Sequence, residues 1–119
     1  MGAYHAHSLE KWLLQRGLEA ESLTRQMHNC DIAARYQMHH ALALLAIGIL
    51  ALGHRGGLLH CTAGLFLVGI VLFSGGLYLI VFTGKLIHWA IVPSGGLLLM
   101  TAWLSLALVA LTQPAARCR

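Results

Sequence analysis

Residues 56–84 read GGLLHCTAGLFLVGIVLFSGGLYLIVFTG, a run without a single Asp, Glu, Lys or Arg. An uncharged, mostly apolar stretch of more than about 18 residues is typical of a helix that crosses a bilayer. Inside the run lies LFSGGLY, residues 72–78, whose two adjacent glycines would weaken a helix exposed to water. The run therefore predicts a membrane-spanning helix in which the glycines serve packing or bending.

The rest of the chain extends this pattern. Its 119 residues are 58% hydrophobic and 10% charged, whereas about 25% of residues are charged in soluble domains. Uncharged stretches predict spans at about 36–53, 58–83 and 93–112. The predicted fold is all-α, an integral membrane bundle of three transmembrane helices within residues 36–119. Its partner is the lipid bilayer, and because the net charge of +4 is spread over both ends and both loops, we expect no nucleic acid partner.

The first 35 residues differ in character. Apolar side chains at Leu23, Met27, Cys30 and Ala34 recur every three or four residues, with charged residues around them. This spacing predicts an amphipathic helix that continues into the first span. We interpret residues 1–35 as an interfacial segment lying at the membrane surface, with a packed helical hairpin as the alternative.

Small residues form stripes on the predicted spans. Helices in lipid associate through close backbone approach and polar contacts, both of which small side chains permit. The stripes therefore predict a groove that receives a neighbouring helix, and a kink at the paired glycines is the competing interpretation. The predicted helix-packing residues are Ala41, Gly48, Thr62, Gly69, Gly75, Gly76, Thr83, Thr101 and Ser105.

The candidates for chemistry are few. There are eight histidines, yet no HxxxH or ExxH pair, no CxxC motif and no acidic residue within the spans, so we predict no metal site and no catalytic residues. Polar side chains near one membrane face predict a cluster at that face. The cluster either fixes the helix register through hydrogen bonds, or it transfers protons or binds a haem edge or a quinone headgroup. The members of this possible polar cluster are His7, Tyr36, His40, Ser74 and Tyr78.

Four blocks of the sequence together resemble a known family. They are GAYHAH (2–7), YQMHHALAL (36–44), LFSGGLY (72–78) and PSGG (93–96), and they look like the small bacterial inner-membrane proteins of domain-of-unknown-function family 423 (DUF423). The resemblance places the two histidines of the family on His7 and His40, and the serine of its FSGSLY block on Gly76. His5 and His39 depart from the family pattern.

The resemblance also carries expectations. It implies four membrane helices and no established activity. The family usually has a hydrophobic helix before the GAFGAH block, and this sequence begins one residue ahead of that block. Either the start site was placed too late, or this member has lost the helix and a partner could occupy the vacant place beside the first span. It favours a cytoplasmic His54–Arg55 loop and C-terminus in the bacterial inner membrane, where the balance of positive charge leaves orientation open.

We therefore expect a non-enzymatic accessory or structural subunit that packs against other membrane subunits or against itself, without a cofactor. The alternative is a membrane protein that binds haem, quinone or a metal through interfacial histidines. A third hypothesis, transport, has less support than these two, since the spans contain no charged residue to bind a solute.

Overall fold

The computed structural model describes residues 8–53, 56–85 and 88–112, and every element in these ranges is helical. His7 lies outside the described residues. The helices are α1 (Glu10–Gln15), α2 (Ala20–Gly53), α3 (Gly57–Ile70), α4 (Gly76–Thr83) and α5 (Ile91–Thr112), with a π-helical turn, Val71–Gly75, that joins α3 to α4. The all-α membrane fold is confirmed, because α2, the α3–α4 rod and α5 are each long and apolar enough to span a bilayer.

Helix α2 is longer than a membrane needs. Its 34 residues extend over about 51 Å at about 1.5 Å per residue, against about 30 Å of bilayer hydrocarbon. The charges of α2 all lie in its first half, where Glu21 pairs with Arg25 at 3.2 Å and Asp31 with Arg35 at 3.0 Å. The helix passes through residue 36 without a break. The length of α2 thus exceeds the thickness of the hydrocarbon, while the division into a surface segment and a membrane domain stays a prediction.

The α3–α4 rod is one helix with a wide turn inside it. The π turn at Val71–Gly75 leads directly into α4, which ends at Thr83. Gly84 follows with φ of 67°, a left-handed conformation that glycine adopts without strain and that commonly ends helices. The predicted end of this span therefore coincides with the observed helix end, and the predicted kink region coincides with the π turn.

The rod lies between the other two spans. Its backbone approaches both α2 and α5, whereas in the described chain α2 and α5 meet through side chains only. One buried core joins all three spans, and its members are Ala43, Ile47, Leu59, Phe66, Leu99, Ala102 and Val109. Most of the outer surface remains apolar and exposed, including Leu45, Leu52 and Leu104. Such a surface is compatible with lipid and not with water.

Helix α1 docks at the end of the rod. Leu9 and Leu13 are buried against Cys30 of α2 and Val81 of α4. Arg16 stacks on the Trp12 ring at 4.4 Å and donates a hydrogen bond to the Phe82 carbonyl at 2.8 Å. A cation at a helix C-terminus satisfies an open carbonyl and complements the helix dipole. The N-terminal helix is thus fixed at the membrane end where α4 finishes.

Candidate functional site

Three glycines set the contact between the α3–α4 rod and α5. A Cβ added to Gly69 would meet Leu99 at 2.7 Å, and one added to Gly76 would meet Val92 at 3.0 Å. The tightest approach is at Gly95, where an added Cβ would overlap the backbone of Phe73 inside the π turn. Gly69 and Gly76 belong to the predicted packing stripe. Gly95 was not predicted as a packing residue, although two adjacent glycines, Gly95 and Gly96, at the start of a span could have indicated a close helix contact.

A buried hydroxyl pair adds a polar contact to the same interface. Thr62 and Ser105, both predicted packing residues, bring their oxygens to 2.6 Å. Thr62 Oγ1 also donates to the Leu58 carbonyl at 2.8 Å, so its single proton is committed and Ser105 donates to Thr62. This bond joins α3 to α5 in the core, where hydrogen bonds between membrane helices contribute about 0.6 kcal/mol on average.

The remaining predicted packing residues have no helix packed on them within the described chain. Ala41, Gly48, Thr83 and Thr101 are exposed, Gly75 is half-buried, and nothing lies within 4 Å of a Cβ built on Gly48 or Gly75. Thr83 and Thr101 bond back to carbonyls of their own helices. Their assignment to helix packing stays a prediction, and Ala41 and Gly48 share one side of α2.

Two clefts lie between α2 and the rod on that side. The larger, of about 440 Å³, is lined by Ala34, Arg35, Gln37, Met38, His39, Ala41 and Tyr78. The smaller, of about 170 Å³, is lined by Leu44, Ile47, Gly48, Ala51, Leu59, His60 and Ala63. Each cleft includes one small residue of α2 from the predicted packing set, Ala41 in the larger cleft and Gly48 in the smaller. We call this side of the molecule, with both clefts, the α2 groove.

The predicted polar cluster is brought together in part. The Tyr36 and His40 rings lie 5.7 Å apart, and His40 Nδ1 lies 2.6 Å from the Tyr36 carbonyl. Because a carbonyl only accepts, Nδ1 carries the proton, and Nε2 is the acceptor in the neutral ring. His40 is 7% exposed. Its side chain is therefore held in one tautomer and one orientation.

The other members of the cluster separate. Tyr78 donates to Gln37 Oε1 at 3.1 Å, so its described partner is Gln37 and neither Tyr36 nor His40. Ser74 is 2% exposed, and its hydroxyl has no hydrogen-bond partner among the described residues. His7 lies outside the described ranges. The grouping of these residues into one site stays a prediction.

Aromatic rings that the sequence reasoning missed surround His40. Phe66 and Trp103 have ring centroids 5.8 and 6.1 Å from that of His40, and Phe66 meets Trp103 edge-on at 5.2 Å. Phe73 packs on Tyr36 at 4.6 Å. The spacing of seven between Phe66 and Phe73 was a signal that they share a side of the rod. The rings close the space between α2, α3 and α5 and leave His40 in apolar surroundings.

The other described histidines are exposed and dispersed along the chain. His28, His39, His60 and His88 all have exposed side chains. Within residues 8–53, 56–85 and 88–112, no three His, Cys, Asp or Glu residues are placed to hold a metal ion. In this part of the chain only His40 combines burial with a fixed ring orientation.

Comparison with known proteins places the chain in a family. The profile described as "Protein of unknown function (DUF423)" matches residues 1–96. The chain belongs to the DUF423 family.

Relatives from several bacteria extend the match over most of the sequence. A UPF0382 membrane protein of Staphylococcus saprophyticus is 38% identical over 107 residues, which cover 90% of this chain and 81% of the relative. The Haemophilus influenzae counterpart is 36% identical, with 90% and 78% covered. UPF0382 membrane protein YwdK of Bacillus subtilis is 34% identical, with 92% and 83% covered. No solved structure matches. The chain is thus a membrane protein of an uncharacterised bacterial family.

Proposed function

We propose that the chain is a non-enzymatic accessory subunit of the bacterial inner membrane that packs through its α2 groove against another membrane helix. The observation that carries the proposal is the contrast between the two sides of the bundle. On one side the small residues Gly69, Gly76 and Gly95 already hold α5 against the rod. On the other side Ala41 and Gly48 are exposed, and no helix covers them in the described chain.

The chemistry of the groove favours a helix over lipid. Lipid tails are as apolar as leucine, so they gain little at the exposed small residues Ala41 and Gly48, whereas a second helix gains close backbone contact there. Gln37, which also lines the larger cleft, offers an amide N–H in addition to the oxygen that accepts from Tyr78. A partner helix with a hydrogen-bond acceptor at that depth would satisfy this group.

The topology of the proposal follows from the family resemblance, because the balance of positive charge leaves the orientation open. We place the C-terminus and the His54–Arg55 loop in the cytoplasm, and α1 with the charged half of α2 on the outer side. On this placement the larger cleft lies near the outer membrane interface, because it is lined by Arg35 and Gln37 at the end of the charged half of α2.

Substitution of Ala41 by leucine tests the proposal. We expect the wild-type chain from native membranes to run as a complex on blue native gels. The larger side chain of the variant would fill the groove, so the variant should run at the mass of the lone chain. Ala46→Leu is the matched control, since Ala46 is also exposed on α2 but points about 140° away.

Two tagged copies of the chain in the same membrane decide between self-association and another subunit as the partner. A wild-type chain that runs as a lone monomer would contradict the proposal. An equal response of the Ala41→Leu and Ala46→Leu variants would also contradict it.

A second candidate function rests on His40. Its Nδ1 is committed to the Tyr36 carbonyl, and its Nε2 has no hydrogen-bond partner in the described chain. Metal-bound histidines commonly donate their other ring N–H to a carbonyl in this way. The second candidate function is therefore the binding of haem, quinone or a metal ion at His40. The bond to a carbonyl does not identify such a site by itself, because His60 makes the same bond to Gly56 on an exposed surface.

An optical spectrum of the protein purified from its own membranes tests the second candidate. Binding at His40 predicts a Soret band, an extractable quinone or a stoichiometric metal that is lost in His40→Phe and kept in His60→Phe. A protein without any of the three rejects this candidate and leaves the packing proposal untouched.

A further inference from the structure

Most hydroxyl groups in the helices of the described chain have a hydrogen bond, and one buried serine hydroxyl does not. Most of them donate to a carbonyl three or four residues earlier in the same helix, and Ser105 donates to Thr62. The back-bonded residues are Thr24, Thr62, Thr83, Ser94, Thr101 and Thr112. Ser74 is different, because its Oγ is fully buried and has no hydrogen-bond partner among the described residues.

The local backbone explains the exception. Ser74 is the fourth residue of the π turn Val71–Gly75. In an α-helix a carbonyl three or four residues earlier lies within reach of a serine or threonine hydroxyl, as Ser94 and the five threonines show. In the wider π turn the backbone bonds shift to five residues, and that local partner is displaced. The hydroxyl remains inside the protein without the bond that its neighbours have.

An unpaired hydroxyl at this depth is costly. Burial of a hydroxyl without a hydrogen bond costs about 1–3 kcal/mol by protein mutational data, and native proteins pair nearly all such groups, often with ordered water. The widened turn also has carbonyl oxygens, and each carbonyl has two lone pairs, so it can accept a second hydrogen bond. Lipid cannot reach the site, because Ser74 is 2% exposed.

We propose that a single buried water molecule occupies the π turn and bridges Ser74 Oγ to a carbonyl oxygen of the same turn. A water needs two to four polar partners, and the hydroxyl with the turn carbonyls supplies them. Water that inserts into a helical ladder is a recognised cause of helix distortion. The bound water stabilises the wide turn, and α5 packs directly on that turn because Gly95 has no side chain in the way.

Solid-state NMR of the full chain in liposomes with deuterated lipids tests the proposal directly. Magnetisation is transferred from water, and its build-up is followed at the Ser74 and Ser105 Cβ signals. Ser105 is the internal control, since it is also buried but bonded to Thr62. We expect several-fold faster build-up at Ser74 than at Ser105.

Two variants extend the test. Ser74→Ala should abolish the fast transfer at the Phe73 and Gly75 amides, while Ser74→Thr, which keeps the hydroxyl, should retain it. Equal, slow build-up at Ser74 and Ser105 in the wild-type chain would overturn the proposal even if Ser74→Ala fails to fold. Water transfer that persists unchanged in a folded Ser74→Ala variant would overturn it as well. Neither result depends on the proposed partner helix.

Discussion

Gly95→Ala should be the most damaging single-methyl substitution in the described chain, with an expected loss of about 2–3 kcal/mol in the free energy of unfolding. The added Cβ would overlap backbone atoms of Phe73, and the α5 backbone would have to move away from the rod. A flexible side chain could rotate out of the way, but a backbone nitrogen cannot. The small gain in helix propensity, about 1 kcal/mol for alanine over glycine, would not offset this.

Gly96→Ala is the matched control for Gly95→Ala. Its added Cβ would meet the Phe73 ring at 3.7 Å, an ordinary contact, so we expect a neutral or slightly stabilising effect. Reversible unfolding in mixed micelles, followed by Trp103 fluorescence with the other tryptophans replaced by phenylalanine, measures both variants. If Gly95→Ala and Gly96→Ala unfold alike, the close approach of α5 to the π turn does not exist in the membrane.

The helices could be predicted from sequence because the bilayer imposes strict requirements. A span must be long, apolar and uncharged, so the gaps between charges define it almost alone. The predicted span at about 58–83 matches the α3–α4 rod, Gly57–Thr83, to within one residue, and the predicted third span differs from α5, Ile91–Thr112, by two residues at its start. Pro93 lies inside the first turn of α5 because its missing N–H costs nothing there.

The contacts between helices were harder to predict from the sequence than the helices themselves. A spacing of seven places Thr62, Gly69, Gly76 and Thr83 on one stripe only if the helix is regular throughout. A π turn interrupts the helix between Gly69 and Gly76, yet both glycines face α5 and are buried with Thr62, and only Thr83, the last residue of α4, is exposed. Adjacent glycines do not by themselves predict a π turn, because the same residues are also compatible with a regular helix that has a packing stripe.

One contact of the candidate site, that between Tyr36 and His40, could be expected from the sequence, whereas its apolar surroundings could not. Tyr36 and His40 are four apart on one helix, so their contact follows from local geometry. The rings of Phe66 and Trp103 reach His40 from two other helices, and that arrangement depends on how the spans pack. Ser74 and Tyr78 lie on opposite sides of the π turn boundary, and a spacing of four does not place them together there.

Phe66→Ala should have the second large effect, about 2 kcal/mol of lost stability, which is less than the about 3–5 kcal/mol typical of soluble cores. Phe66 is fully buried and contacts both Trp103 and His40. In a water-soluble protein, removal of the ring would lose the free energy of its transfer from water to the core and would leave a cavity. In lipid the separated helices still keep the ring in an apolar medium, so only packing is lost. Trp103 should also gain mobility, which its fluorescence anisotropy measures.

Leu67→Ala separates packing from mere apolar character in this test. Leu67 is the next residue of α3 and is 54% exposed, so lipid should replace its side chain at a cost within about 0.5 kcal/mol. Equal losses in Phe66→Ala and Leu67→Ala would mean that Phe66 is not enclosed by α2 and α5. A loss in Phe66→Ala as large as in a soluble core would mean that the chain leaves the lipid when its helices separate. Only the intermediate value agrees with three helices held in the bilayer by close packing around the Phe66 ring.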